Sequence, residues 1–189
     1  MEKKVIYFDK PGKGNTEACL DVVKAALSEG RHKHLVVAST TGATGLLFAD
    51  ALRGQGVAVV VVTHSCGFKE PNSAEMPPDV RTAIEEKGAA VYTGSMLTHS
   101  IETSFASKFS GLYPTTIVAQ SLRRFGEGAK VCCEIVMMAA DAGLIPEGEE
   151  VIAVAGTAWG ADSVLVIRSA ASKRFLALKV LEILAKPRA

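Results

Sequence analysis

Short aliphatic runs alternate along this chain with segments in which apolar residues recur at helical spacing. Strands are predicted at Val5 to Phe8, Leu35 to Ala38, Val57 to Val62, Ala89 to Tyr92, Val151 to Ala155 and Val164 to Ile167. The run from Val57 to Val62 is apolar throughout, which is typical of a strand covered on both faces in a parallel sheet. The pattern therefore predicts an α/β fold, a three-layer sandwich around a mostly parallel sheet.

Helices are predicted in the segments between and after these strands. Apolar residues at helical offsets of four, eight and eleven positions occur at Ile101, Phe105, Phe109 and Leu112. The helix from Gly128 to Ala142 is apolar nearly all round and is therefore expected to be buried. Other helices are predicted from Asn15 to Gly30, from Leu46 towards Gly54, from Pro77 to Gly88, from Thr115 to Arg124 and from Lys173 to Lys186.

Length and charge narrow the class of protein. At 189 residues, the chain is expected to form a single domain spanning 1–189. The net charge of +1 gives no electrostatic reason to expect binding to nucleic acid or to a membrane surface. No apolar run approaches the roughly 18 residues of a membrane span. Because a strand is predicted to begin near Val5, no secretory signal is expected at the N-terminus. A cytoplasmic location is therefore expected.

The cysteines and histidines do not follow a metal-binding pattern. Cys19, Cys66, Cys132 and Cys133 include no Cys-x-x-Cys pair, so no metal site is expected. They are expected to be reduced thiols that lie mostly in the core. A structural role is favoured for Cys66 as well, because no neighbouring residue in the sequence would activate its thiol.

The most informative stretch of sequence follows the second predicted strand. The apolar run Leu35 to Ala38 gives way to the loop Ser39-Thr40-Thr41-Gly42-Ala43-Thr44, and a helix is predicted directly after it. Such a loop places backbone N–H groups and hydroxyls at a helix N-terminus, where the helix dipole favours an anion. A phosphate-binding site is therefore predicted here.

Three more loops rich in Gly, Ser and Thr follow predicted strands, at Thr63 to Gly67, Thr93 to Ser95 and Gly156 to Gly160. Because the carboxyl ends of parallel strands meet at one edge of a sheet, these loops are expected to share a ligand-binding crevice. The alternative is that these residue types are simply common in loops.

Two standard nucleotide motifs are excluded. The loop around Gly42 lacks the lysine of a P-loop. Gly12-Lys13-Gly14 resembles the start of a dinucleotide fingerprint, but Glu17 occupies the third glycine position and would repel a pyrophosphate. Binding of NAD is therefore not expected.

Several polar or aromatic residues have two interpretations. His64 either contacts a ligand or acts as an acid or base, or it bonds only to backbone. Trp159 either stacks on a flat ligand or packs beneath its own loop. Glu102, Glu134 and Asp162 are expected to be solvated side chains.

The chain resembles a known domain over nearly its whole length. The helix from Cys133 to Pro146, the strand Glu150 to Ala155 and the loop Gly156 to Asp162 follow the order seen at the end of the C-terminal α/β domain of pyruvate kinase. The chain is more closely similar to free-standing, mostly archaeal and bacterial proteins of this domain type. Further segments that carry the similarity are Phe8 to Gly12, Thr63 to Phe68 and Met76 to Pro78.

The resemblance implies a cofactor and a site, because these free-standing proteins look like binders of flavin mononucleotide (FMN). The FMN phosphate is then expected at the hydroxyl loop and the ring towards the loops that begin at Thr63 and Gly156. The cofactor-binding residues implied in this way are Ser39, Thr40, Thr41, Gly42, Thr44, Thr63, His64, Ser65, Gly67, Phe68, Gly156, Thr157 and Trp159.

Three functions stay open from the sequence. The first is an FMN-binding protein of unknown reaction, with oxidoreductase as one activity. The second is a non-catalytic sensor of a phosphate-bearing metabolite such as a sugar bisphosphate, and the third is an acid–base or thiol enzyme that uses His64 and Cys66. Pyruvate kinase activity is not expected, since its catalytic barrel alone takes about 250 residues. Apolar helix faces are compatible with a homo-oligomer.

Overall fold

A computed structural model describes residues 2–188. The strands are β1 (Ile6–Phe8), β2 (His34–Ala38), β3 (Ala58–Val62), β4 (Ala90–Tyr92), β5 (Glu150–Ala155), β6 (Ser163–Arg168) and β7 (Lys179–Pro187). The α-helices are α1 (Thr16–Ser28), α2 (Ala43–Ala51), α3 (Pro78–Glu86), α4 (Ile101–Phe109), α5 (Pro114–Leu122) and α6 (Glu127–Asp141). Short 3₁₀ turns lie at Lys13–Asn15, Arg123–Phe125 and Ser172–Ala177.

The strands form one sheet in the order β1-β7-β6-β5-β2-β3-β4. Strands β5, β2, β3 and β4 are parallel to one another, and β1 is parallel to β7. Strand β6 is antiparallel to both of its neighbours. The prediction of an α/β fold around a mostly parallel sheet is therefore confirmed.

Helices cover both faces of the central strands, as the apolar strand pattern predicts. Leu35 and Val37 of β2 pack with α1 and α2 residues such as Phe48 on one face. Val36 points the other way and packs with Cys132 of α6. Because neighbouring side chains of a strand alternate between faces, both faces need apolar residues.

The C-terminal segment corrects the sequence prediction. A helix is predicted from Lys173 to Lys186, but the structure has a 3₁₀ turn at Ser172–Ala177 followed by strand β7. Strand β7 lies between β6 and β1, and Ile6 pairs with Ala185. Without β7, β1 would have no partner and β6 an open edge, so sheet pairing outweighs the helix propensity of a segment rich in Leu, Lys and Ala.

Helix α4 is confirmed where the apolar spacing predicts it, but its apolar stripe is not covered. Within residues 2–188, α4 contributes no buried side chain. Ile101 is 74% exposed and Phe109 is 68% exposed, and Leu112 lies beyond the end of the helix. Glu102 is half-buried rather than freely solvated, because its carboxylate accepts a hydrogen bond from the Thr115 backbone N–H at 3.0 Å.

No helix in the described part of the chain is long and apolar enough to cross a bilayer.

Helix α6 is buried, as predicted, but it also buries an ion pair. Lys130 and Glu134 are 2% and 3% exposed, so the expectation of a solvated Glu134 is wrong. The Glu134 carboxylate bonds the Lys130 ammonium and accepts hydrogen bonds from the Thr98 N–H at 2.8 Å and the Thr98 hydroxyl at 2.7 Å. Burial raises the pKa of Glu134, but the Lys130 charge and the Thr98 bonds outweigh burial and hold that pKa below its ordinary value.

Removing one partner of this pair is expected to cost much more than removing both. Glu134→Gln leaves the Lys130 ammonium without a counter-charge in the core and should lower the free energy of unfolding by about 3–5 kcal/mol. The double variant Lys130→Met/Glu134→Leu should recover most of that loss, as urea denaturation can measure.

The pH dependence of stability follows from the sign of the shift. Stability from Glu134 is present above the ordinary carboxyl pKa and is lost as the pH falls through the lowered folded-state pKa. The difference in the free energy of unfolding between the wild type and the double variant should therefore change as the pH is lowered into the acid range. A double variant as unstable as Glu134→Gln would contradict this account.

Candidate functional site

Four loops meet at the carboxyl edge of the sheet because the strands before them, β2, β3, β4 and β5, are parallel. Helices α1 and α2 also begin at this edge, each after its preceding strand. Helix α6 begins there too, since it must run back across the sheet before β5. The positive ends of these three helices therefore lie at the same edge of the sheet.

The hydroxyl loop is anchored at both ends and open in the middle. Ser39 donates its N–H to the Val62 carbonyl at 2.9 Å, and the Ser39 hydroxyl accepts the Gly45 N–H at 2.9 Å. Between these anchors, the backbone N–H groups of residues 40–44 donate to no protein group within residues 2–188. The loop therefore keeps five amide donors and uses one hydroxyl to hold its own shape.

Gly42 makes the turn into α2 possible. It has a left-handed φ of 95°, and a β-carbon added there would lie 2.3 Å from Val80 Cγ1 of α3. A glycine is therefore required both by the backbone conformation and by the close approach of α3.

The loops enclose a cavity of about 270 Å³. Seven of the residues predicted to bind a cofactor line it: Ser39, Thr40, Thr41, Thr44, His64, Gly156 and Trp159. The lining also includes Ala158 and Gly160, which belong to a loop predicted to lie at the crevice, and it includes Ala38, Glu127 and Val131, which were not predicted. Glu127 and Val131 come from α6, which no loop motif linked to the site.

The other six predicted residues lie around the cavity rather than in its lining. Gly42 is buried beneath the loop, and Thr63 is buried with its hydroxyl 2.8 Å from the Thr93 hydroxyl. The Thr157 N–H donates to Asp162 at 2.9 Å. Ser65, Gly67 and Phe68 belong to the loop that follows β3, and the Phe68 ring lies 4.3 Å from the His64 ring.

His64 is held by a carboxylate that no sequence motif indicated. Its Nδ1 lies 2.7 Å from Glu75 Oε1, and Glu75 also forms an ion pair with Lys69. Burial raises the pKa of Glu75, but the bonds from Lys69 and His64 lower it more, so the net pKa lies below the ordinary value. Glu75 is eleven residues from His64, a spacing that only the folded loop brings together.

Asp162 is the main correction among the polar residues. It is fully buried rather than solvated. One carboxylate oxygen accepts the N–H groups of Gly12 at 2.8 Å and Thr157 at 2.9 Å, and the other accepts the Ser163 hydroxyl at 2.9 Å. A single carboxylate thus ties the β1–α1 loop to the β5–β6 loop.

Trp159 stands at the mouth of the crevice. It is 59% exposed, so it does not pack beneath its own loop, and the Lys69 ammonium lies 5.8 Å from its ring centre. Its neighbours Ala158 and Gly160 both have left-handed φ values, 62° and 70°. A second cavity of about 480 Å³ lies beside it and adjoins the first through Thr41, Thr44, Trp159 and Gly160.

Charged residues are sparse in the first cavity. Glu127 is its one carboxylate, and the Arg123 guanidinium binds that carboxylate at 2.8 Å. The second cavity adds Lys13 and Glu17 from the β1–α1 region. No group of three metal-ligating side chains occurs within residues 2–188.

The cysteines divide into two groups. Burial raises the pKa of Cys19 to about 12 and that of Cys133 to about 11, and it raises the pKa of Cys132 as well, so these three thiols are inert. Cys66 is exposed on the loop after β3, which is not the environment of a structural thiol.

Taken with the sheet, this crevice defines an α/β protein with a small-molecule cavity at the carboxyl ends of its parallel strands. The family described as pyruvate kinase, alpha/beta domain, matches residues 17–167. The chain belongs to that family.

Solved structures similar to this chain include that of O-ureido-L-serine synthase. It is 17% identical, with a TM-score of 0.32, and the match covers 75% of this chain and 51% of the synthase. A lysine-to-alanine variant of that synthase with bound O-ureido-L-serine is 18% identical, with a TM-score of 0.32, and the match covers 75% and 50%. The chain spans about half the length of these synthases.

Gly42→Ala is expected to disturb the hydroxyl loop. The left-handed φ and the contact with Val80 together should lower the free energy of unfolding by about 2–3 kcal/mol. Gly54→Ala is a matched control, because Gly54 has a φ of 74° with no atom within 4 Å of an added β-carbon. It should cost only about 1 kcal/mol in the same urea titration.

The contact with Val80 can be tested separately from the backbone strain. Combining Gly42→Ala with Val80→Ala should cost less than the sum of the two single changes, since the smaller side chain makes room for the β-carbon. Strictly additive losses would show that Val80 does not restrict the loop.

Asp162→Ala is expected to release both loops that the carboxylate holds. Two backbone N–H groups would lose their acceptor, which should cost about 2–4 kcal/mol. Trp159 is the single tryptophan, so its near-ultraviolet circular dichroism reports on this loop and should weaken. Asp162→Asn can still place its carbonyl oxygen towards both N–H groups and should retain more than half of the lost stability. Equal effects of the two substitutions would argue against this role for the carboxylate.

Proposed function

We propose that this protein binds FMN in the crevice, with the phosphate at the hydroxyl loop. The observation that carries the proposal is the set of five backbone N–H groups at residues 40–44 without a protein acceptor in the described chain, next to a cavity. Backbone N–H groups that are left unbonded at a helix N-terminus are the donors that proteins commonly offer to phosphate.

The electrostatics of the crevice favour a dianion. Helices α1, α2 and α6 all begin there, and each N-terminus carries about half a positive charge. Arg123 neutralises the one carboxylate in the lining. The hydroxyls of Thr40, Thr41 and Thr44 make no hydrogen bond to another described residue and add further donors.

An aromatic side chain at the mouth of the cavity suits a flat ring. Trp159 lines the cavity and has a largely exposed indole. Aromatic side chains of this kind recognise a planar ligand by stacking. When bound, FMN would supply hydride or electron transfer, and an oxidoreductase activity is proposed on that basis.

A second candidate is a sensor of a bisphosphorylated metabolite. It is favoured by Lys13, which lies in the β1–α1 loop and lines the second cavity. A bisphosphate needs a cation at its second phosphate, and Lys13 would supply that cation. Glu17 in the same cavity argues in the opposite direction.

Ligand-dependent stabilisation separates the two candidates. FMN should raise the melting temperature and lose fluorescence on binding, whereas riboflavin, which lacks the phosphate, should have a much smaller effect. Stabilisation by fructose 1,6-bisphosphate without any effect of FMN would favour the sensor instead.

A matched pair of threonine variants tests the loop. Thr41→Val removes a hydroxyl that lines both cavities and should weaken FMN binding by about tenfold, the value of one hydrogen bond to a charged group. Thr82→Val removes an exposed hydroxyl that bonds the Pro78 carbonyl in α3 and should leave FMN affinity unchanged. Equal affinities of Thr41→Val and the wild type would place the phosphate elsewhere.

A further inference from the structure

The lining of the first cavity contains no lysine or arginine. His64 is the one lining side chain, among the described residues, that can carry a positive charge. A phosphate monoester is mostly a dianion above about pH 7. A ligand of that charge would therefore meet helix ends and neutral donors, and within this lining a full positive charge could come only from the imidazole.

The surroundings of His64 are arranged to accept that charge. Its Nδ1 is 2.7 Å from the Glu75 carboxylate, whose side chain is 11% exposed. The Nε2 atom has no hydrogen-bond partner within residues 2–188, although the residue lines the cavity. One ring nitrogen thus faces a half-buried anion, and the other is left for a ligand.

Other charged groups near His64 do not cancel this arrangement. Lys69, on the same loop, is paired with Glu75 and partly neutralises it. Glu127, from α6, is bonded to Arg123. His99, on the loop after β4, contacts Phe68 at a ring distance of 5.8 Å, and burial is the main reason why its pKa lies below the ordinary value. A protonated His64 therefore has Glu75 as its main counter-charge and His99 as a mostly neutral neighbour.

We propose that phosphate-ligand binding in this crevice is coupled to protonation of His64, so that the dianion and a proton enter the site together. The proton is taken from solvent by Nε2, and the resulting imidazolium lies between the Glu75 carboxylate and the ligand phosphate. This inference rests on the proposed function, since it requires a phosphate-bearing ligand in the first cavity.

Isothermal titration calorimetry at pH 8 in buffers of different ionisation enthalpy measures this coupling directly. At that pH a phosphate monoester is already a dianion, so a proton that accompanies binding must be taken up by the protein. FMN binding to the wild type should therefore take up a fraction of a proton, up to one per ligand. Riboflavin should show no coupled proton, because it lacks the dianion.

Variants assign the proton to a residue. His64→Gln should abolish the proton uptake and weaken FMN binding by about tenfold at pH 6.5, where the wild-type imidazole is charged in the complex. Glu75→Gln should reduce the uptake. His99→Gln is the control and should leave the uptake unchanged.

The outcomes separate this inference from the proposed function. If FMN binds with the same heat in every buffer, or if proton uptake persists in His64→Gln, the coupling is wrong. Either result leaves the proposal of FMN binding intact. If fructose 1,6-bisphosphate binds with proton uptake and FMN does not bind, the coupling is supported and FMN is not the ligand. If neither probe binds, both proposals are wrong.

Discussion

The crevice depends on one buried carboxylate. Asp162 accepts N–H groups from two loops that are 145 residues apart along the chain, Gly12 and Thr157, and so fixes the distance between them. These two loops approach each other so closely that Gly160 has no room for a β-carbon. An added β-carbon would lie 2.6 Å from Lys13 Cα. The positions of Trp159 and Lys13 at the second cavity depend on this contact, which is supported by the Ala161 N–H donating to the Thr16 hydroxyl at 3.0 Å.

The second constraint is electrostatic. The topology brings the N-termini of α1, α2 and α6 to one edge of the sheet, and the lining of the first cavity there contains no lysine or arginine. Partial charges at helix ends favour an anion without attracting one strongly, since each contributes roughly 0.3–1 kcal/mol at an exposed site. The proposed phosphate site would therefore use the unbonded amides of residues 40–44 together with His64.

Local signals predicted the part of the site that lies within one loop. Ser39 to Thr44 follow a strand and precede a helix, so their position at the carboxyl edge could be expected from sequence. Glu127 and Val131 could not be expected, because they reach the cavity from a helix whose neighbours carry no motif. The partnership of Glu75 with His64 depends on how a long loop folds back, and no periodic pattern encodes such a contact.

The sequence by itself determined the α/β class, the central strands and the hydroxyl loop, because apolar periodicity and turn residues are local properties of the chain. Tertiary structure decided the remainder. Sheet pairing made a strand of Lys179–Pro187, and burial between loops and helices turned Asp162 and Glu134 from solvated carboxylates into internal anchors. The physical reason is that strand pairing and the burial of a charged side chain both depend on segments distant in sequence, which only the folded chain brings into contact.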